Sequence, residues 1–113
     1  NLYGISHKDL VMAAFVASMH RKGDVNTVEF MKYRDMLTEE DVDAILKLGV
    51  IVRIAESLDR SMSSVITGLT CDVLGDSVIM KTESEGDCSL EIKDAMSSVG
   101  DFRRAYKKNL QIL

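Results

Sequence analysis

Arg53, Glu56, Asp59 and Arg60 follow one another at spacings of three, three and one residues. On a helix this sets two guanidinium groups and two carboxylates on neighbouring turns of one side. They lie in or just beyond the apolar run from Ala44 to Leu58, where a charge drawn out of water is costly unless it is paired. Two chemistries suit the cluster. One is a structural ion-pair network closed among Arg53, Glu56, Asp59 and Arg60. The other is a phosphate site, in which the guanidinium groups make charge-assisted hydrogen bonds to phosphate oxygens. A second cluster, His20-Arg21-Lys22, closes an earlier apolar helix. It can hold phosphate, or it can simply answer the negative end of the helix dipole. The cations of Arg103-Arg104-Ala105-Tyr106-Lys107-Lys108 read as a solvated helix end.

Other chemistry finds little footing. Ser57, Ser61, Ser63 and Ser64 occupy no nucleophile elbow, and neither a phosphate-cradling glycine loop nor a His-Glu-x-x-His pattern occurs. His20 with Glu56 and Asp59 makes a thin metal set, and the chain contains no His-Asp dipeptide. No catalytic residue and no metal ligand is assigned. Cys71 and Cys88 lack the paired spacing of a zinc site and read as reduced, partly buried thiols in strands.

The elements that carry these groups follow from caps and periodicity. Ser6 is an N-cap for a helix from His7 to about Lys22, ended by Gly23. Its stripe is Leu10, Ala13, Ala14 and Ala17, which His20 continues, and most of its remaining surface is apolar too. A helix of that kind is expected to be central and buried. Val28 to Met36 reads as a short helix or loop. Thr38-Glu-Glu-Asp41 resembles a capping box and starts a helix from Glu39 to about Arg60, with Val42, Ile45, Leu46, Gly49 and Val52 facing the core. After Ser61 the period changes from 3.6 to 2. Val65–Leu74, Ser77–Glu83 and Cys88–Lys93 read as three strands joined by Gly75-Asp76 and Glu85-Gly86-Asp87. Asp94–Asn109 reads as a helix buried through Val99, Phe102, Ala105 and Tyr106, and Leu110–Leu113 as a short last strand. The expected class is α+β: residues 1–61 helical, residues 62–113 a small antiparallel β-meander with a C-terminal helix, together one domain of 113 residues.

Composition narrows the function further. A 46% hydrophobic and 28% charged chain is globular, and a net charge of −4 argues against a general nucleic-acid binder. The run Ala44–Leu58 contains Lys47, Arg53 and Glu56 and is too short and too charged to span a bilayer. No membrane or nucleic-acid partner is expected, and the location is expected to be cytoplasmic. The chain opens at Asn1 rather than Met, so it is expected to be excised from something longer.

Two segments taken in order resemble a known family. Gly4-Ile-Ser-His-Lys-Asp-Leu-Val-Met-Ala-Ala-Phe-Val-Ala-Ser-Met-His20-Arg21-Lys22, then Leu46-Lys-Leu-Gly-Val-Ile-Val-Arg53-Ile-Ala-Glu56-Ser-Leu-Asp59-Arg60-Ser61, resemble the C-terminal region of exopolyphosphatase/guanosine pentaphosphatase (Ppx/GppA) proteins. A β-rich tail with a pair like Leu90-Glu91 and a helix bearing a residue like Phe102 extends the likeness over most of the chain. The resemblance implies an HD-like helical part followed by the tail, with the actin-like catalytic half and the start of the HD-like bundle outside this sequence. It implies a non-catalytic C-terminal domain of a phosphohydrolase that contributes to phosphate-chain binding, to dimerisation, or to both. His20, Arg21, Lys22, Arg53 and Arg60 are then the phosphate-binding candidates. The partners implied are the parent's N-terminal catalytic domains, a second copy, and polyphosphate or guanosine pentaphosphate. No cofactor is implied for these residues, while a parent enzyme would use a divalent cation. The alternatives are a protein-interaction module without phosphate binding, built from the Met-rich helices and an exposed sheet edge, and an HD-like metal-dependent phosphohydrolase using His20 and Glu56.

Overall fold

The computed structural model describes residues 6–22, 34–62 and 64–113, and side chains within α1 only as far as Ala17. In chain order the elements are helix α1 (His7–Lys22), a 3-10 turn (Arg34–Met36), helix α2 (Glu39–Leu58), strands β1 (Ile66–Leu74) and β2 (Ser77–Ser84), helices α3 (Ser89–Met96) and α4 (Val99–Tyr106), and strand β3 (Asn109–Ile112). The class is α+β. Most of the expected segment from Val28 to Met36 lies outside the described residues.

Both long helices start where their caps dictate. The Ser6 hydroxyl accepts from the Asp9 N–H at 3.1 Å. The Thr38 hydroxyl accepts from the Asp41 N–H at 3.1 Å, while Asp41 returns the favour to the Thr38 N–H at 2.8 Å, closing a capping box. Lys8 reaches Asp41 at 2.7 Å and so pins α1 to the start of α2. That hydrogen bond, with those from Thr38, holds the Asp41 carboxyl below the usual carboxylate range.

α1 is not the central helix. Ala13, Ala14 and Ala17 are exposed, and it buries Val11 and Phe15 against Ile45 of α2, with Met12, Val16, Met36, Leu37 and Leu46 around them. Alanine at those positions suits a helix on any face, so an apolar count overstated their burial. The central element is α2. It buries Ile45, Gly49, Val50, Ile54, Ser57 and Leu58, a stripe rotated from the expected one: Val52 is 39% exposed.

The antiparallel meander is corrected to a mixed sheet of order β1-β2-β3. β1 and β2 form the expected antiparallel hairpin, turned at Gly75, whose φ of 59° is one that glycine adopts at little cost. β3 pairs with β2 in parallel, from Ser77 opposite Asn109 to Met80 opposite Ile112. The reason lies in the segment expected to be the third strand. Leu90, an inward position of the alternation Cys88-Leu90-Ile92, is 79% exposed. Asp87 instead accepts from the Ser89 N–H at 3.1 Å and also from the Ser89 hydroxyl, which starts a helix there. The buried set Glu91, Ala95, Ser98, Phe102 and Ala105 has helical spacing. The expected single helix Asp94–Asn109 is thus two, α3 and α4, divided at Ser97-Ser98. A helical crossover returns the chain to the starting end of β2, and a parallel neighbour follows.

The main core lies between this sheet and the helices: Val50, Ile54 and Leu58 of α2, Val78 and Met80 of β2, Ala95, Phe102 and Ala105 of α3 and α4, and Leu110 and Ile112 of β3. Phe102 stacks on Tyr106 with centroids 4.5 Å apart, and the Tyr106 hydroxyl donates to the Lys47 carbonyl at 3.0 Å. Burial pushes the Tyr106 phenol above its ordinary pKa.

Candidate functional site

Two features of α2 are the candidates: its charged edge and the apolar strip along its exposed side. Arg53 and Arg60, two turns apart, meet Asp101 and Asp94, which are also two turns apart in sequence spacing. Arg53 lies 3.3 Å from Asp101. Arg60 donates to Asp94 through Nε at 3.2 Å and Nη2 at 2.9 Å. Asp101 also takes Arg104 from its own helix. Three guanidinium groups therefore meet two carboxylates where α2 packs on α3 and α4. The Ser57 hydroxyl, followed by Arg60, holds the Asp94 carboxyl below the usual carboxylate range.

Arg53 and Arg60 thus pair across the helix seam rather than solely within the set Arg53, Glu56, Asp59 and Arg60. Asp59 forms the C-cap of α2, its backbone N–H directed to the Ala55, Glu56 and Ser57 carbonyls, and Glu56 is exposed. His20, Arg21 and Lys22 fall in the last turn of α1, and their side chains lie outside the described residues. Asp94 and Asp101 were missed in the sequence. Their seven-residue spacing, equal to that of Arg53 and Arg60, was the available signal.

Because the Asp94 carboxyl titrates lower in the folded chain than in the unfolded one, its stabilisation is present above the unfolded value near pH 4 and fades as pH falls through the folded value. Asp94→Asn should lower the thermal midpoint at pH 7 and flatten its decline between pH 5 and pH 3, as followed by circular dichroism. An unchanged decline would assign the acid sensitivity to other carboxylates.

The apolar strip has a different character. Leu48, Ile51, Val52 and Ala55 of α2 recur at i, i+3, i+4 and i+7, the spacing of one helix face, and all are exposed. Leu48 is 54% exposed. Ile51 and Ala55 also line a groove of about 320 Å³ whose far wall is Ile66 and Leu69 of β1 and whose floor includes Ile54, Leu58 and Met80. A bulge between Ile66 and Gly68 keeps both Ile66 and Leu69 on the groove side, because it restores the two-residue alternation after one extra residue. Farther along β1, Cys71 and Val73 lie opposite Met80 and Val78. They share the core-facing side of the sheet, yet both are exposed. The helices cover β2 and β3 and leave β1 overhanging.

Cys71 and Cys88 are free thiols; Cys71 is in β1, whereas Cys88 precedes α3 rather than lying in a strand. Among the described residues no group of three His, Cys, Asp or Glu side chains converges to hold a metal ion. The divalent cation implied for a parent enzyme has no such ligand set among these residues. No helix among the described residues is long and apolar enough to cross a membrane.

The fold and its two surface features define an α+β domain with an arginine–aspartate seam and an open apolar flank. No family model, curated protein or solved structure matches the chain.

Proposed function

We propose that this chain is a non-catalytic, association-forming domain of the kind found C-terminally in Ppx/GppA-like phosphohydrolases, acting in the cytoplasm through the open flank of α2 and β1. The observation that carries the reading is the continuity of the Leu48-Ile51-Val52-Ala55 strip with the groove and with Leu69. A monomer rarely leaves a contiguous apolar patch of this kind in water unless something docks there. The HD-like character of the helical part and the link to a phosphohydrolase rest on the sequence resemblance.

Ile51→Lys in the full chain tests the docking role. Ile51 is 40% exposed, so a lysine can carry its charge out to solvent and unfolding free energy should change by no more than about 1 kcal/mol. Binding of the apolar dye ANS to the native protein should fall several-fold. A loss of about 2 kcal/mol or more would make Ile51 a folding residue, and the docking role would be withdrawn.

A second reading, phosphate-chain holding, is favoured by the exposed guanidinium groups at the seam. The Arg60 and Arg104 side chains are 60% and 75% exposed and retain donors that a phosphate oxygen can take. His20, Arg21 and Lys22 are its further candidates. Binding of long-chain polyphosphate should then weaken steeply with added salt, as phosphate contacts do, and should drop in Arg60→Ala. Salt-insensitive or undetectable binding removes this reading and leaves the docking role in place.

A further inference from the structure

We propose that α3 is a latch: the buried Glu91 carboxylate works to open it, the Arg60–Asp94 pair holds it shut, and an inorganic oxyanion that takes Arg60 releases it. The device rests on the phosphate-holding role above and adds what binding there does to the fold.

Burial in the first turn of α3 runs against the chemistry of its residues. Leu90 is 79% exposed, while Glu91 beside it is 5% exposed. The Glu91 Oε2 is closed off from solvent and has no hydrogen-bond partner among the described residues. A carboxylate oxygen stripped of water and left unmatched is costly, and it favours any state in which Glu91 swings outward. The ends of the helix do not compensate. Cys88, at its N-cap, makes no side-chain capping bond. At the joint with α4 the Ser98 hydroxyl is fully buried and is also unmatched among the described residues. A helix of eight residues does not persist on its own backbone hydrogen bonds, so α3 is held by what it touches.

Two contacts hold it. One is apolar: Ala95 and the half-buried Ile92 join the main core, a modest anchor for a whole helix. The other is polar. Asp94 accepts from Arg60 Nε at 3.2 Å and Nη2 at 2.9 Å and from the Ser57 hydroxyl. A charge-assisted, two-pronged pair of this kind is the strong form of such a contact. Asp94 follows Glu91 by three residues, so the two are neighbours on the helix surface. The bond that fastens Asp94 therefore also keeps Glu91 inside.

That fastening is open to competition. The Arg60 side chain is 60% exposed and that of Asp94 39%, so an oxyanion reaches the guanidinium without prior unfolding. Phosphate oxygens match the guanidinium fork as a carboxylate does. An anion seated there displaces Asp94 and then repels it, because both are negative. α3 is left with Ala95 and Ile92 alone, and its first turn opens as Glu91 passes into water. Binding and opening are coupled in both directions: a change that eases opening makes Arg60 more available to the anion by the same factor.

Hydrogen exchange of the full chain with and without inorganic pyrophosphate, at constant ionic strength, tests the latch, with binding measured separately by calorimetry. Without the anion, the Ile92 amide, which donates to the Cys88 carbonyl, should exchange roughly a hundredfold faster than amides within α2. Saturating pyrophosphate should speed it roughly tenfold more and leave β2 unchanged. Glu91→Leu should slow α3 exchange roughly tenfold, as relief of one unmatched buried group would, and should weaken pyrophosphate binding by a like factor. Glu91→Gln, closer in shape, should act in the same direction to a smaller extent. Arg60→Ala should leave α3 fast and unresponsive to the anion. Pyrophosphate that binds yet leaves α3 unchanged, or speeds every element alike, overturns the latch while the phosphate-holding role stands. Undetectable binding removes both. An α3 that Glu91→Leu does not slow overturns the latch whatever the anion does.

Discussion

Replacing Phe102 by Ala is expected to cost about 3–5 kcal/mol of unfolding free energy, a large share of the roughly 5–15 kcal/mol that holds an ordinary domain folded. Phe102 is 4% exposed and stacks on Tyr106, which in turn donates to the Lys47 carbonyl of α2. It sits in the cluster where α2, β2, α3, α4 and β3 meet. Removing the ring therefore leaves a cavity bordered by elements that cannot all close in together. Urea titration followed by circular dichroism measures the loss. A cost below about 1 kcal/mol would mean that this core is not the one that holds the fold.

The second large effect is expected at Ile45, 1% exposed, and it should have a different distribution. Ile45 belongs to the smaller cluster with Val11 and Phe15, through which α1 rests on α2. Ile45→Ala should cost about 2–5 kcal/mol locally. Because the two clusters share only α2, with Leu46 packed against both, the loss should concentrate in α1. Native-state hydrogen exchange should show the α1 amides losing protection while those of β2 and α4 keep most of theirs. Equal loss in every element would show the two clusters to be one cooperative unit.

The contrast between these residues shows what was legible in the chain. Helix starts were readable because Ser6 and Thr38 announce themselves by side-chain chemistry that acts over three residues. The hairpin was readable because Gly75-Asp76 stands between alternating runs. The third strand was misread because Cys88-Leu90-Ile92 alternates over too short a stretch to exclude a helix; the available signal was polar, the Asp87 carboxylate turning the chain at Ser89 just before the helix. The parallel placement of β3 is a long-range consequence of that error. At the seam, the need of Arg53 and Arg60 for partners was legible, but only the packing of α2 on α3 and α4 brings Asp101 and Asp94 to them. The open flank was hidden for a related reason. Val52 and Ile54 are equally apolar in sequence, and only the direction from which the sheet approaches decides that Ile54 is 2% exposed and Val52 39%.

The central claim is that β1 and the exposed side of α2 are a surface for another chain. Dye binding tests it most directly: ANS should bind the native protein several-fold more than it binds Ile51→Lys, at an unfolding free energy that stays within about 1 kcal/mol. Equal dye binding by the two proteins, or an Ile51→Lys chain that loses about 2 kcal/mol or more, would contradict it.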